Sequence, residues 1–214
     1  MPTDAGASEA AEGARGAVPA PGFDVGLLTP VAAGVAEELS DAAIAGALVA
    51  AEVGLARAWA TVGAAPEAAV AEISDALGWR GAGAPCAWGG LPLAELVTGA
   101  VAGGNPVIPL VGILRAGVAA EARPWVHRGA TSQDILDSAL MLSARAAGEL
   151  IGADLRRCEA SLTDFAREHR DLPAAARTLT QHAVPTTLGL RASGWLRGVS
   201  RAADRLAAAV AQLP

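Results

Sequence analysis

The sequence predicts an all-α protein: a small N-terminal helical domain, then long antiparallel helices of a helical bundle. Three observations predict it. Ala, Leu and Val dominate a composition that is 52% hydrophobic and only 3% aromatic, without Tyr, and Ala and Leu favour helix where β-branched or aromatic runs are scarce. Apolar residues from Thr131 to about His169 recur in alternating steps of four and three, a heptad stripe. Start and stop residues for helices punctuate the remainder.

The first 22 residues, rich in Ala, Gly, Pro and Glu, lack a basic start and a continuous apolar run, and read as a disordered tail (1–22) rather than a signal peptide. An N-terminal helical domain is expected over 23–128. Ser40-Asp41 starts a helix running to about Val62, with Ile44, Leu48, Val53, Leu55 and Trp59 among its buried residues. Pro66 suits a first helical position, and Glu67 to Leu77 forms a shorter helix closed by Gly78. Trp79 to Gly90 reads as a loop. Pro92 opens another helix, interrupted at Gly103–Pro106, and Val107 to Ala120 resumes it until Arg123-Pro124. The uncharged window Leu96–Leu114 reaches membrane-spanning length, but Gly103-Gly104-Asn105-Pro106 and Pro109 break it, so no membrane span is expected.

A long-helix hairpin is expected over 129–214. Its first stripe runs through Ile135, Ala139, Leu142, Ala146, Leu150 or Ile151, Leu155, Cys158, Leu162 and Phe165, and Thr131 with Asp134 forms a capping-box-like start. Leu172-Pro173 ends that helix. A second is expected from Pro185, with Leu188, Ala192, Trp195, Val199, Ala202, Leu206, Ala209 and Leu213 in register. Cys158 and Trp195 on these stripes are expected in the core, with Cys158 a buried free thiol; two cysteines suggest no disulfide scaffold and suit a reducing cytoplasm.

The net charge of −6 argues against nucleic acid or an anionic membrane as partner. All 16 basic side chains are Arg, which offers bidentate recognition of carboxylates. Trp125-Val-His-Arg-Gly-Ala-Thr-Ser-Gln-Asp134 gathers a histidine, a cation, two hydroxyls and an amide at a helix start, where unpaired N–H groups and the helix dipole attract anions. Arg177-Thr-Leu-Thr-Gln-His-Ala-Val-Pro-Thr-Thr187 repeats the pattern before the second helix. Two such starts point to a small polycarboxylate. A capping box alone also explains Thr131 and Asp134, and His169 and Arg170 suit a helix C-terminus. The intervening helix, at 1.5 Å per residue, is about 57 Å long. One small molecule therefore meets both clusters only if neighbouring subunits align antiparallel, which predicts a homo-oligomer.

Gly129-Ala-Thr-Ser-Gln-Asp134 and Gln181-His-Ala-Val-Pro-Thr-Thr187 resemble two of the three signature regions of the fumarase/aspartase superfamily. Gly104-Asn-Pro-Val-Ile-Pro-Leu110, Thr131 to Leu140 and Gly26-Leu-Leu-Thr-Pro30 look most like its 3-carboxy-cis,cis-muconate cycloisomerase branch. The resemblance implies a cytoplasmic homotetramer with sites drawn from three subunits, requiring no metal or organic cofactor. It implies addition or removal of a group β to a carboxylate, in this branch the lactonisation of a tricarboxylate diene in protocatechuate breakdown.

Matched to this chain, the candidate proton-transfer residues are His127 and His182. The candidate substrate-binding residues are Asn105, Arg128, Thr131, Ser132, Gln133, Arg177, Gln181 and Thr186. Asn105 stands where adenylosuccinate lyases carry a histidine. Leu179 stands where the lyases have a catalytic histidine and the cycloisomerases usually Trp. The third signature, a Gly-Ser-Ser-rich loop carrying the catalytic serine, has no counterpart, so the sequence reads as an N-terminal portion with little turnover expected alone. The alternatives are another superfamily lyase, such as one acting on adenylosuccinate, and a non-catalytic helical assembly module.

Overall fold

A computed structural model describes residues 37–213, and the expectations for the first 36 residues, the tail among them, lie outside these. Six α-helices and one two-stranded hairpin follow in chain order: α1 (Asp41–Thr61), α2 (Glu67–Ala76), α3 (Leu93–Gly103), α4 (Val107–Gly117), α5 (Ser132–Glu168), β1 (Pro173–Thr178), β2 (Gln181–Thr187) and α6 (Leu188–Val210).

Ser40 caps α1, its hydroxyl accepting a hydrogen bond from the Ala43 N–H, which satisfies one of the donors left free at any helix start. Helix α1 is the axis of the core. Ile44, Leu48, Val49, Val53 and Ala56 are buried, and Val70 and Ile73 of α2, Leu96 of α3, Leu110 and Leu114 of α4, and Ile135 and Ala139 of α5 are buried with them. Among the described residues α1 alone is long and apolar enough to cross a membrane, yet most of that stretch is buried inside the fold, as a core helix demands. The uncharged window after it is divided between α3 and α4, with Gly104 closing α3 at φ +72°. Helix α4 ends at Gly117, three residues before the expected Ala120, because Val118 is extended.

Helix α5 runs for 37 residues, about 55 Å. Its start is fastened by the Thr131 N–H, which donates to Asp134 Oδ2 at 2.9 Å. Helix α6 returns antiparallel: Gly189 lies against Ala166 and Arg170, and Gly148 against Val210.

Three expectations are corrected here. The second long helix starts at Leu188, not Pro185, because residues 173–187 form an antiparallel hairpin with Pro173 opposite Thr187 and Arg177 opposite His182. The sequence explains this. Thr and Val favour extended backbone, Pro is tolerated at the ends of edge strands, and Thr180 turns the chain at φ +64°. Cys158 is exposed, and Trp195 is 52% exposed. Both lie on the far part of the helix pair, where among the described residues α5 packs against α6, so neither is a core residue of the described fold.

Candidate functional site

The segment between α4 and α5 is held from both sides of one residue. Arg115 of α4 donates to the carbonyl of Val126 at 3.1 Å. Trp59 of α1 donates its indole N–H to the carbonyl of Arg128 at 2.8 Å. Between them His127 adopts φ +58°, a left-handed conformation that is uncommon outside glycine and marks functional sites when the surroundings enforce it. Gly129 follows at φ +78°, and a Cβ there would stand 3.0 Å from the Trp59 ring. Only glycine meets both demands without displacing the indole.

His127 Nδ1 lies 2.7 Å from Oε1 of Glu52, whose side chain is 1% exposed against 18% for the histidine. Burial raises the Glu52 carboxyl above its ordinary range, while the His127 and Arg115 charges pull it back down. Its second oxygen, Oε2, is buried and has no hydrogen-bond partner among the described residues. The pair leaves Nε2 as the ring nitrogen that Glu52 does not engage, in the loop running into the N-terminus of α5.

The other expected residues near this end sit as follows. Thr131 is the N-cap of α5, and Ser132, half-buried, is its first residue. Gln133 is exposed and donates to Asp137 at 2.7 Å. Arg128 is exposed, its guanidinium 4.5 Å from the Trp125 ring centroid. Asn105 accepts from the Val107 N–H at 2.9 Å, so it fastens the start of α4.

The second cluster is elsewhere. Arg177, Gln181 and His182 are exposed on the hairpin arms, and Leu179 at its turn is 86% exposed. They do not line a helix start; Thr187 caps α6, its hydroxyl accepting from the Leu190 N–H, and Thr186 is beside it in β2. A cleft of about 410 Å³ at the hairpin base is lined by Thr163, Arg167, Arg170, Thr187 and Ser193, among others. The whole of α5 separates these groups from His127, so the chain does not bring His127 and His182 together. Among the described residues no three His, Cys, Asp or Glu side chains converge as metal ligands.

Glu52 escaped the sequence reading because a single acid inside an Ala-rich helix resembles a solvated residue. Its signal was the position itself: a lone carboxylate four residues after Leu48 and one before Val53, on the buried face of α1.

The described fold is thus a helical core extended by a rod of two antiparallel helices, with an imidazole held at the start of the rod. The family model described as lyase matches residues 34–213. Nitrosuccinate lyase of Streptomyces davaonensis is 50% identical over 196 residues, 89% of this chain and 40% of that relative. The 3-carboxy-cis,cis-muconate cycloisomerase of Pseudomonas aeruginosa is 44% identical over 158 residues, 72% of this chain and 32% of the relative. Among solved structures, the 3-carboxy-cis,cis-muconate lactonizing enzyme of Pseudomonas putida matches with a TM-score of 0.72 and 38% identity, covering 79% of this chain and 37% of that one. The chain belongs to this lyase family, within the fumarase/aspartase superfamily. The resemblance to the cycloisomerases read from the motifs is borne out. The chain spans 40% of the length of the first of these curated relatives and 32% of the second.

Proposed function

We propose that this chain supplies the carboxylate-binding end of an enzyme that removes a group β to a carboxylate of a small polycarboxylate, with nitrosuccinate the substrate to test first. The observation that carries the reaction class is the imbedded pair at the head of α5, His127 held by Glu52. The relative named for nitrosuccinate favours that substrate, because it matches more of this chain at higher identity than the cycloisomerase does.

The chemistry follows from the groups. A base takes the proton from the carbon beside one carboxylate, and that carboxylate receives the electron pair as an enediolate-like dianion. Free N–H groups at the α5 N-terminus and the Ser132 hydroxyl stabilise the new charge. The C–N bond then breaks, nitrite leaves with its electron pair, and fumarate remains. His127 accepts or returns the proton through Nε2. Arg128, Thr131 and Gln133 surround the same helix start, and Asn105 contributes from the α4 side.

Arg177, Gln181, His182 and Thr186 enter this site from a second copy of the chain. Exposed apolar residues along the helix pair, Leu150, Ile151, Leu190 and Trp195, supply the surface through which copies align. A homotetramer built this way joins opposite ends of neighbouring rods.

The second reading is lactonisation of a carboxymuconate, favoured by the motif at Gly104–Leu110 and by the likeness to the solved lactonizing enzyme of Pseudomonas putida, with its TM-score of 0.72. Adenylosuccinate lyase of Pyrococcus abyssi matches only 42% of this chain, so a purine substrate has less support than either. The deciding assay follows nitrite and fumarate from nitrosuccinate, and loss of the muconate chromophore in parallel, with the complete gene product. Nitrite release at a rate dependent on His127 supports the first reading; chromophore loss alone replaces it with the second. Silence in both assays from a stable oligomer would leave the assembly-module reading.

A further inference from the structure

Resting on the reading of His127 as the proton-transfer group, the geometry points to Glu52 as the positioning residue that fixes the tautomer and orientation of that imidazole. Three facts converge. The Nδ1–Oε1 contact is 2.7 Å and its acid is almost wholly buried. The histidine backbone is left-handed and clamped through the carbonyls on either side of it, by Arg115 and Trp59. The imidazole therefore has little freedom to turn, and Nδ1 has one partner.

A buried carboxylate in the middle of a core helix is expensive to keep, since desolvation disfavours its charge. A purely structural contact at this place is met more cheaply by an apolar side chain packed among Leu48, Val49 and Val53. What the acid adds is directional. An ionised Glu52 accepts the Nδ1 proton, so the neutral ring presents a bare Nε2, the form able to take a proton from carbon. When Nε2 gains that proton the ring becomes a cation beside Oε1, and the same carboxylate stabilises it. The groups facing Glu52 are His127 and, from α4, the Arg115 guanidinium, which favours the ionised acid. Glu52 touches no substrate in this arrangement; it acts through His127, as orienting partners of functional histidines do.

The test reads the ring directly and does not depend on knowing the substrate. In the complete gene product labelled with 15N-histidine, His127, assigned by its loss in His127→Asn, should be the Nδ1–H tautomer in the wild-type protein. Glu52→Gln should mix the tautomers or favour Nε2–H, and should lower kcat roughly 10- to 100-fold with KM little changed. Glu52→Asp, which keeps the charge, should recover part of the rate, and Glu52→Ala none. A wild-type Nε2–H tautomer, or a tautomer unmoved in folded Glu52→Gln, overturns the proposal. Should Glu52→Gln fail to fold, the wild-type tautomer alone decides. A tautomer that shifts as expected in a protein inactive on both substrates leaves the positioning role standing and removes the substrate assignment.

Discussion

Replacing Gly129 by Ala measures how firmly Trp59 holds the loop that carries His127. Two terms oppose the change. At φ +78° a Cβ costs about 1–2 kcal/mol, offset by about 0.4–1 kcal/mol from the stiffer unfolded chain. The new methyl also stands 3.0 Å from the indole Cζ2, so the ring must give by a few tenths of an ångström. Overpacking of this kind adds about 1–3 kcal/mol. Gly63 is the internal control: its φ is +73° and nothing lies within 4 Å of the Cβ position. Gly63→Ala therefore bears the backbone term alone. In a domain of this size each kcal/mol moves Tm by about 2–4 °C, so Gly129→Ala should melt at least ~2 °C below Gly63→Ala, and hydrogen exchange across 126–130 should quicken only in the former. Trp59→Phe, which shortens the ring, should narrow the gap between Gly129→Ala and its own background. Equal melting of the two alanine variants would refute the clamp, and with it the account of why His127 stays in a left-handed conformation.

Four further outcomes are expected. Ser132→Ala should raise KM or lower kcat in the complete gene product while shifting Tm by less than about 1 °C, since the helix start is fastened by Asp134 and exposed or half-exposed substitutions are within about 0.5 kcal/mol; unchanged kinetics remove Ser132 from the site. Mixing inactive His127→Ala with inactive Arg177→Ala subunits should restore part of the activity if one site draws on both ends of different chains, and no recovery removes Arg177 from the site that holds His127. The Glu52 carboxyl is raised in the folded chain, so its contribution is complete below its ordinary value of 4.5 and is lost as pH rises through the raised one. The Tm of Glu52→Gln relative to wild type should accordingly climb with pH above 4.5; a flat difference contradicts the burial effect. Burial pushes the Cys86 thiol up to about 11, so a thiol reagent at pH 8 should leave it unlabelled until denaturant is added, as followed by mass spectrometry.

The helical architecture was legible because its signals are local and repeated. Ser40, Gly78 and the Gly103–Pro106 break stand at or next to the observed element ends, and the heptad stripe marks α5 within one residue of each terminus. The hairpin was not, because Leu172-Pro173 and Pro185 are equally good punctuation for a helix start, and two strands paired with each other bury no residue fully, so they need no apolar alternation in sequence. The stripe also promised a core at Cys158 and Trp195. Periodicity shows that a face is apolar, not which molecule covers it. At the site, the histidine and the helix start were legible as a motif, whereas Glu52 comes from 75 residues earlier in the chain, a distance that no spacing rule bridges.

The unequal covering of α5, enclosed by the core around Ile135 and Ala139 but met by α6 on one side beyond Leu150, means that robustness is not spread evenly along the rod. If copies of the chain align along this face as proposed, dilution should loosen its far reaches first, while the end bearing His127 keeps its shape. Heat tolerance would then depend on how much protein the solution contains, and a melting curve recorded at one concentration would describe only that solution.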